Sequence, residues 1–328
     1  MQLRINPWLG AAVAICGLAF STPPASAWDA TGHQQVADIA WAQLSPAARK
    51  AIGQILLAGD PQFRPASAAE ADVRAAFRKA STFPDVIKGD RGTDYEAIIP
   101  EMNLTFFKKE KPNPSNNEHI LCKTWHYYDT PVRATGAHPV EDSNALNAFN
   151  LARKQFESIQ KGTSPDRKLQ CWWLYWLEHI TGDLHQPLHC VSSYEFFPDT
   201  GDAGGNRLRV MDPKRPARPS PLHGYWDAGI THAIATERKA EQPAAFEDVT
   251  SRWLADTKLK PTAAEVASSD AAAWIKKGAE TADKLVYRDL KQNTELTDEY
   301  ATAQEEYSRK AAVLAGTRLA KLLNATLK

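Results

Sequence analysis

The chain has 328 residues, 43% of them hydrophobic and 9% aromatic, with 39 Lys and Arg against 39 Asp and Glu and only 4 Cys. That composition is globular, and it excludes a disordered tail protein, a collagen-like chain and a disulfide-dense small scaffold. The charge balance also excludes a histone-like basic polymer, so any phosphate bound here must be held by local charge.

Residues 1–27 carry Arg4, an apolar run from Trp8 to Phe20, then Pro23-Pro24 and a closing Ala25-Ser26-Ala27. This is the pattern of a secretory signal peptide with an A-x-A cleavage site, so the mature chain is expected to start at Trp28 and to be secreted or periplasmic. The apolar run is too short to span a bilayer comfortably, and no later segment approaches the length a membrane helix needs. No stable membrane association is expected, and the mature chain is expected to act as a monomer. Cys16 leaves with the leader. In an oxidising compartment Cys122, Cys171 and Cys190 then suggest one disulfide and a spare thiol, with the pairing open.

Beyond the leader most of the chain reads helical. Val36, Ile39, Ala40 and Leu44 recur at helical spacing up to Ser45-Pro46, where Ser45 is expected to cap a second helix with Pro46 in its first position. Ser67-Ala68-Ala69-Glu70 matches a capping box and predicts a helix running to about Ala80. Lys108 to Glu118 is polar and Pro-rich and reads as a surface loop or insertion. Helices are predicted over Asn144 to Gln160 and from Ser164-Pro165 through Leu184, the second carrying Trp172, Trp173, Trp176 and Ile180. Val191 to Pro221 is dense in Gly, Pro, Asp and Ser, with only Asn206 to Met211 extended; so long an irregular stretch is either disorder or a functional wall. Helices over Asp270 to Val286 and about Thr297 to Leu323 close the chain. No repeat, linker or strand-rich half interrupts the pattern, so residues 28–328 are expected to form a single, mainly α domain.

The dense chemical string runs from Glu178-His179 through Asp183, His185 and Pro187 to His189. His179 and Asp183 stand four apart at the end of a helix, so both side chains face the same way and suit a shared metal ion. Pro187 ends that helix and lets His189 swing to a neighbouring position. One such pair is usually an ordinary structural pair, but His223-Gly-Tyr-Trp-Asp227 repeats the spacing. Asp85 in Ser81-Thr-Phe-Pro-Asp85, His126 in Thr124-Trp-His126-Tyr-Tyr-Asp129, and His33 complete a set of nitrogen and carboxylate donors without thiolates. Such donors suit zinc in a hydrolytic site and leave manganese and iron open.

In order along the chain, Trp28, His33, Asp85, Trp125-His126, the string EHITGDLHQPLH, Gly201-Asp202-Ala203-Gly204-Gly205-Asn206 and His223-x-x-Trp226-Asp227 closely resemble the three-zinc, single-strand-specific nucleases of the S-one/P-one family. The resemblance covers the frame from Trp28 to Asp227, and the remainder only as helical sequence. It implies the helical fold type shared with zinc-dependent phospholipase C, and three zinc ions. Asp85, His126, His179 and Asp183 would hold one ion; Asp183 would bridge to a second held by the amino group and carbonyl of Trp28 and by His33; His189, His223 and Asp227 would hold the third. His185 matches a non-ligand position, while His119, His138 and His232 match nothing and read as surface residues.

The family's chemistry explains the need for several metals. The resemblance implies that a water between the two close zinc ions, deprotonated near neutral pH and oriented by Asp85, attacks phosphorus while the third zinc stabilises the departing 3′ oxygen. Cleavage of P–O3′ in single-stranded DNA and RNA would leave 5′-phosphorylated products, with 3′-nucleotidase activity beside it. Where the family commonly has Arg three residues after the Asp, this chain has Lys88, which keeps the charge without the bidentate fork. Tyr127 is the leading candidate to stack an unpaired base and Asp129 to accept hydrogen bonds from its edge, with Tyr194, Phe196 and Phe197 as further aromatic candidates. Asn206 would orient a loop or a ligand. One rival is a zinc-dependent phospholipase C, whose pattern ends in His-x-x-x-Glu where this chain has Asp227. The other is a non-catalytic exported zinc-binding protein, which has no use for ligands so widely scattered.

Overall fold

The computed structural model describes residues 28–59, 61–87, 109–110, 119–120, 122–142, 144–162, 166–213, 218–237 and 245–328. The leader at 1–27 and Lys88 lie outside them. In chain order the helices are α1 (Ala30–Ala42), α2 (Pro46–Leu56), α3 (Glu70–Ala80), α4 (Phe83–Ile87), α5 (Ala145–Lys161), α6 (Arg167–Asp183), α7 (Leu222–Asp227), α8 (Gly229–Glu237), α9 (Phe246–Ala255), α10 (Ala263–Ala267), α11 (Ala271–Thr281) and α12 (Asp298–Thr326). Three small sheets join them. β1 (Lys109–Glu110) pairs antiparallel with β2 (His119–Ile120), and β3 (Thr130–Val132) pairs parallel with β4 (Val191–Ser193). β5 (Arg209–Met211) lies between β6 (Ser220–Pro221) and β7 (Thr294–Glu295). The result is a single, mainly α domain.

Local chemistry sets most helix starts. The Ser45 hydroxyl accepts from Ala48 N, with Pro46 in the first turn of α2; Asn144 and Thr297 cap α5 and α12 in the same way. The expected capping box before α3 does not form. Ser67 instead accepts from Ala69 N and donates to Asp72, so α3 starts at Glu70 behind an uncapping Ala69. The cap of α6 is Asp166, whose carboxylate accepts from the Lys168 and Leu169 N–H groups. The expected last-but-one helix ends in a π-helical turn, Ala282–Val286. The polar run before residue 119 is closed by the β1–β2 ladder, and its residues 111–118 lie outside the described residues.

α6 is the axis of the molecule. Every residue from Gln170 to Asp183 is buried, as expected of a helix that is apolar all round, and Trp125 packs on it with ring centroids 4.7 Å from Trp176 and 6.4 Å from Trp173. A second, smaller core joins Trp28, Val36 and Ile39 to Ile230, Val249 and Trp253 and to the middle of α12. Here α1 crosses α12 at Gly316. A Cβ at that position would lie 2.5 Å from Ile39 Cγ2 and 2.8 Å from Val36 O. Among the described residues no helix is long and apolar enough to cross a membrane.

The expected disulfide is not formed among the described residues: Cys122, Cys171 and Cys190 are all unbridged thiols. Cys171 opens α6 and packs against Gly59, whereas Cys190 lies beyond the other end of that helix against Gly278, with its thiol aimed at Leu184 O and Gln186 O. A helix of 17 residues keeps those two sulfurs apart, far beyond disulfide reach.

The crossing at Gly316 sets a test of the fold. Gly316→Val is expected to lower the unfolding free energy by about 1–3 kcal/mol, because backbone at Val36 cannot yield to the added side chain. Urea denaturation measures it, and unchanged stability would show that the crossing has slack.

Candidate metal centre

Three groups of imidazole and carboxylate converge, with the ligand atoms of each within 4.8 Å of one another: His33, His179 and Asp183; Asp85, His126 and His179; and His189, His223 and Asp227. Six separate pieces of chain bring them together. The first turn of α1 supplies His33, α4 Asp85, a 3₁₀ turn (Cys122–His126) His126, the end of α6 His179 and Asp183, a second 3₁₀ turn (Pro187–Cys190) His189, and α7 His223 and Asp227. The two helical His/Asp pairs close as their spacing predicts, at 3.4 Å for His179 and Asp183 and 3.5 Å for His223 and Asp227.

Asp183 serves two groups at once. Its Oδ1 lies 3.2 Å from His33 Nε2, while its Oδ2 lies 3.3 Å from His126 Nδ1 and 3.4 Å from His179 Nε2. Asp85 Oδ1 completes the second group at 3.7 Å from both His126 Nδ1 and His179 Nε2.

Backbone carbonyls orient the rings. His179 Nδ1 lies 2.7 Å from Ser81 O, His189 Nδ1 2.6 Å from His126 O, and His223 Nδ1 2.6 Å from Gly204 O. A carbonyl only accepts, so each Nδ1 carries the proton, and each ring turns its Nε2, the nitrogen left to bind a metal, into its cluster. For His189 and His223 those two nitrogens are 3.0 Å apart, with the Asp227 carboxylate 3.6 and 3.5 Å away. Lone pairs and a carboxylate converging in a buried space repel one another unless a cation lies between them. Burial pushes the His179 pKa down to about 4, so this ring is in its neutral, metal-ligating form at neutral pH. Donors of this kind fit a divalent metal, zinc included.

Several supporting residues had no assigned role in the sequence pattern. Gln186 donates from Nε2 to Asp227 Oδ1 at 2.6 Å, and its Oε1 accepts from Leu188 N at 2.6 Å, fixing the carboxylate to the turn that carries His189. Gly204, at φ +63°, offers its carbonyl to His223; a Cβ there would lie 2.4 Å from Leu188 O. Both lie inside the family-like motifs, so their presence was legible but their partners were not. Trp28 is fully buried and donates from Nε1 to Gly182 O at 2.9 Å, and the next N–H, of Asp29, reaches Asp227 O at 3.0 Å. The start of the described chain is thereby pinned beside Asp183 and Asp227. His185 points elsewhere: its Nδ1 meets Thr181 O at 2.7 Å, and Arg318 Nη1 donates to its Nε2 at 2.6 Å. Its ring is occupied outside the metal groups, as the resemblance implied.

Tyr127 and Asp129 follow His126 directly and are half-buried. Asp129 has its pKa raised to about 7, first by burial and then by Asp202 and Glu141. Asn206 donates from Nδ2 to Ala203 O at 2.8 Å, so its amide ties its own turn. Phe196 is 40% exposed on the rim, and Tyr194 stacks on His138.

A model of the family described as S1/P1 Nuclease matches residues 28–328. Endonuclease 1 of Arabidopsis thaliana is 26% identical over 255 residues, covering 74% of this chain and 76% of that protein. Endonuclease 4 of the same plant is 29% identical over 156 residues, covering 46% of this chain and 49% of that protein, and Endonuclease 2 is 28% identical over 157 residues, covering 46% and 50%.

The raised pKa of Asp129 gives a stability test with a definite sign. Its folded value near 7 exceeds the unfolded carboxylate value, so the unfolded state ionises first. Stability is therefore lost as pH climbs from about 4 to 7 and stays lower above that. In the metal-free protein, Asp129→Asn is expected to gain more stability at pH 8 than at pH 4, by up to about 4 kcal/mol. Equal urea-denaturation differences at the two pH values would refute it.

Proposed function

Because the chain belongs to the S1/P1 nuclease family, we propose that it is an exported, zinc-dependent nuclease that hydrolyses single-stranded DNA and RNA to 5′-phosphorylated products and dephosphorylates 3′-nucleotides. The observation that carries this reading is the Asp183 carboxylate, whose two oxygens face two adjoining donor groups that share His179, while a third group stands nearby. Paired and third metal positions of that kind serve phosphoryl transfer and have no purpose in zinc storage.

His33 and Asp183, with the main chain of Trp28, would hold one ion; Asp85, His126, His179 and Asp183 a second; His189, His223 and Asp227 a third. Bound there, zinc supplies Lewis acidity toward phosphoryl oxygens and lowers the pKa of water. The protein does the rest. Asp85 is the most exposed of the side chains in its group, at 15%, so it faces the open side of the centre, where it orients the attacking water and accepts its proton. The new O–P bond forms as P–O3′ breaks, and the departing 3′ oxygen takes a proton from solvent water. Lys88 contributes positive charge to the pentacoordinate phosphate. Tyr127 stacks the base of the nucleotide whose phosphate is attacked, Asp129 holds its edge, and Asn206 keeps the loop that carries the Gly204 carbonyl in place.

Cleavage after Ala27 in the secretory pathway would free the Trp28 amino group as a ligand beside His33 and Asp183. A mature protein carrying an extra Met before Trp28 is accordingly expected to lose about one zinc equivalent and most of its phosphodiesterase activity. Three bound zinc ions and full turnover in that protein would remove the amino group from the site.

The experiment that tests the whole reading is zinc quantification on the mature protein together with cleavage of single-stranded against double-stranded DNA. About three ions and a marked preference for single strands are expected, and His189→Ala is expected to lose about one ion and orders of magnitude in rate. Hydrolysis of choline phospholipid with denatured DNA left intact would overturn the reading.

A further inference from the structure

Tyr127 and Asp129 account for one base, yet a second ring assembly stands on the same ribbon. β3 and β4 pair in parallel with Thr130 opposite Val191, Pro131 opposite Ser192 and Val132 opposite Ser193, and Tyr194 N continues the ladder to Val132 O at 3.1 Å. Side chains alternate along such a ribbon. Tyr128, Thr130 and Val132 line one face, around a 430 Å³ cavity shared with Ile275 and Ala279 of α11. Asp129 and Tyr194 therefore fall on the other face, about four residues or 13 Å apart along the ribbon.

On that face Tyr194 forms a short column with one neighbouring ring. The His138 ring stacks on it with centroids 3.8 Å apart and planes 30° from parallel. The backbone of Gly201 also comes close to this ring: a Cβ there would lie 3.2 Å from Tyr194 Cζ. The column is held before any ligand arrives. Ser193 and Asp202 exchange two hydrogen bonds, Ser193 N to Asp202 Oδ1 at 2.8 Å and Asp202 N to Ser193 O at 2.9 Å. Arg133 pairs with Glu195 and, at 2.9 Å, with Asp283. His138 is half-buried among exposed neighbours at 135–137 and 139, and its outer face is the open end of the column.

The surroundings say what would add to it. Burial first, and then the nearby carboxylates of Asp129 and Asp202, raise the pKa of the Tyr194 hydroxyl. Their charge disfavours a phosphate at this end, whereas the uncharged, planar base of a strand whose phosphate lies at the metal groups meets no such penalty. Resting on the nuclease reading, we propose that His138, backed by Tyr194, is a second base platform. It stacks the base next to the one at Tyr127, so that the enzyme prefers an oligonucleotide to a mononucleotide. His138 is then a specificity residue, not the plain surface residue that its isolation in the sequence suggests.

The test compares kcat/KM on a short oligothymidylate and on thymidine 3′-phosphate with the zinc-loaded enzyme. His138→Ala and Tyr194→Ala are expected to lower the oligonucleotide value about tenfold, chiefly through KM, and His138→Phe to retain it. All three variants are expected to hydrolyse the 3′-nucleotide within about twofold of wild type, since only Tyr127 is engaged by it. Equal losses on both substrates, or an unchanged oligonucleotide value in His138→Ala, would overturn the second platform while leaving the nuclease reading standing. A wild-type protein inert on both substrates would overturn the nuclease reading and the platform with it.

Discussion

A buried carboxylate at the last turn of α6 sets the terms for the rest of the molecule. Asp183 is fully buried, and its two oxygens look toward His33 on one side and toward His126 and His179 on the other. An ionised carboxylate in such a place costs several kcal/mol unless positive charge compensates it. Burial keeps the adjoining His179 ring neutral and the Ser81 carbonyl fixes its tautomer, so that ring offers no positive charge and the compensation falls to metal ions. Folding and metal binding are then coupled: the fold assembles donors that repel one another, and the ions release that repulsion.

That coupling explains the stiffness of the scaffold. A group built from six pieces of chain holds its geometry only if each piece is fixed independently. Trp125 packed on Trp173 and Trp176 fixes the approach to His126. Gln186 locks Asp227 to the turn of His189, and Trp28 locks the start of α1 to Gly182. Arg318 takes His185 out of contention as a ligand, so the string of histidines around Asp183 delivers only the rings that face the centre.

The formal neutrality of the chain hides a strongly divided surface. Three divalent cations would outweigh the three carboxylates Asp85, Asp183 and Asp227, leaving the metal centre electropositive inside a protein of balanced charge. A few residues away, Asp129 and Asp202 make the ribbon face acidic and aromatic.

Sequence alone determined what is local. Ser45, Asn144 and Thr297 announce helix starts because capping involves neighbours a few residues away, and the two His/Asp pairs announce shared faces because helical spacing is a property of the chain itself. The order of the ligand motifs also made the family legible. The capping box at Ser67 failed because the hydroxyl oxygen accepts from the nearer Ala69 N–H instead, while its proton goes to Asp72. A Cys171–Cys190 bridge failed because thiol pairing depends on distance, here along a packed helix, which cysteine counts cannot supply. Tertiary structure alone decided that Asp183 straddles two groups, that Gln186 and Gly204 hold the third, and that His138 lies on Tyr194. Each of these joins residues brought together by packing around α6, and a side chain's orientation there is set by neighbours remote in sequence.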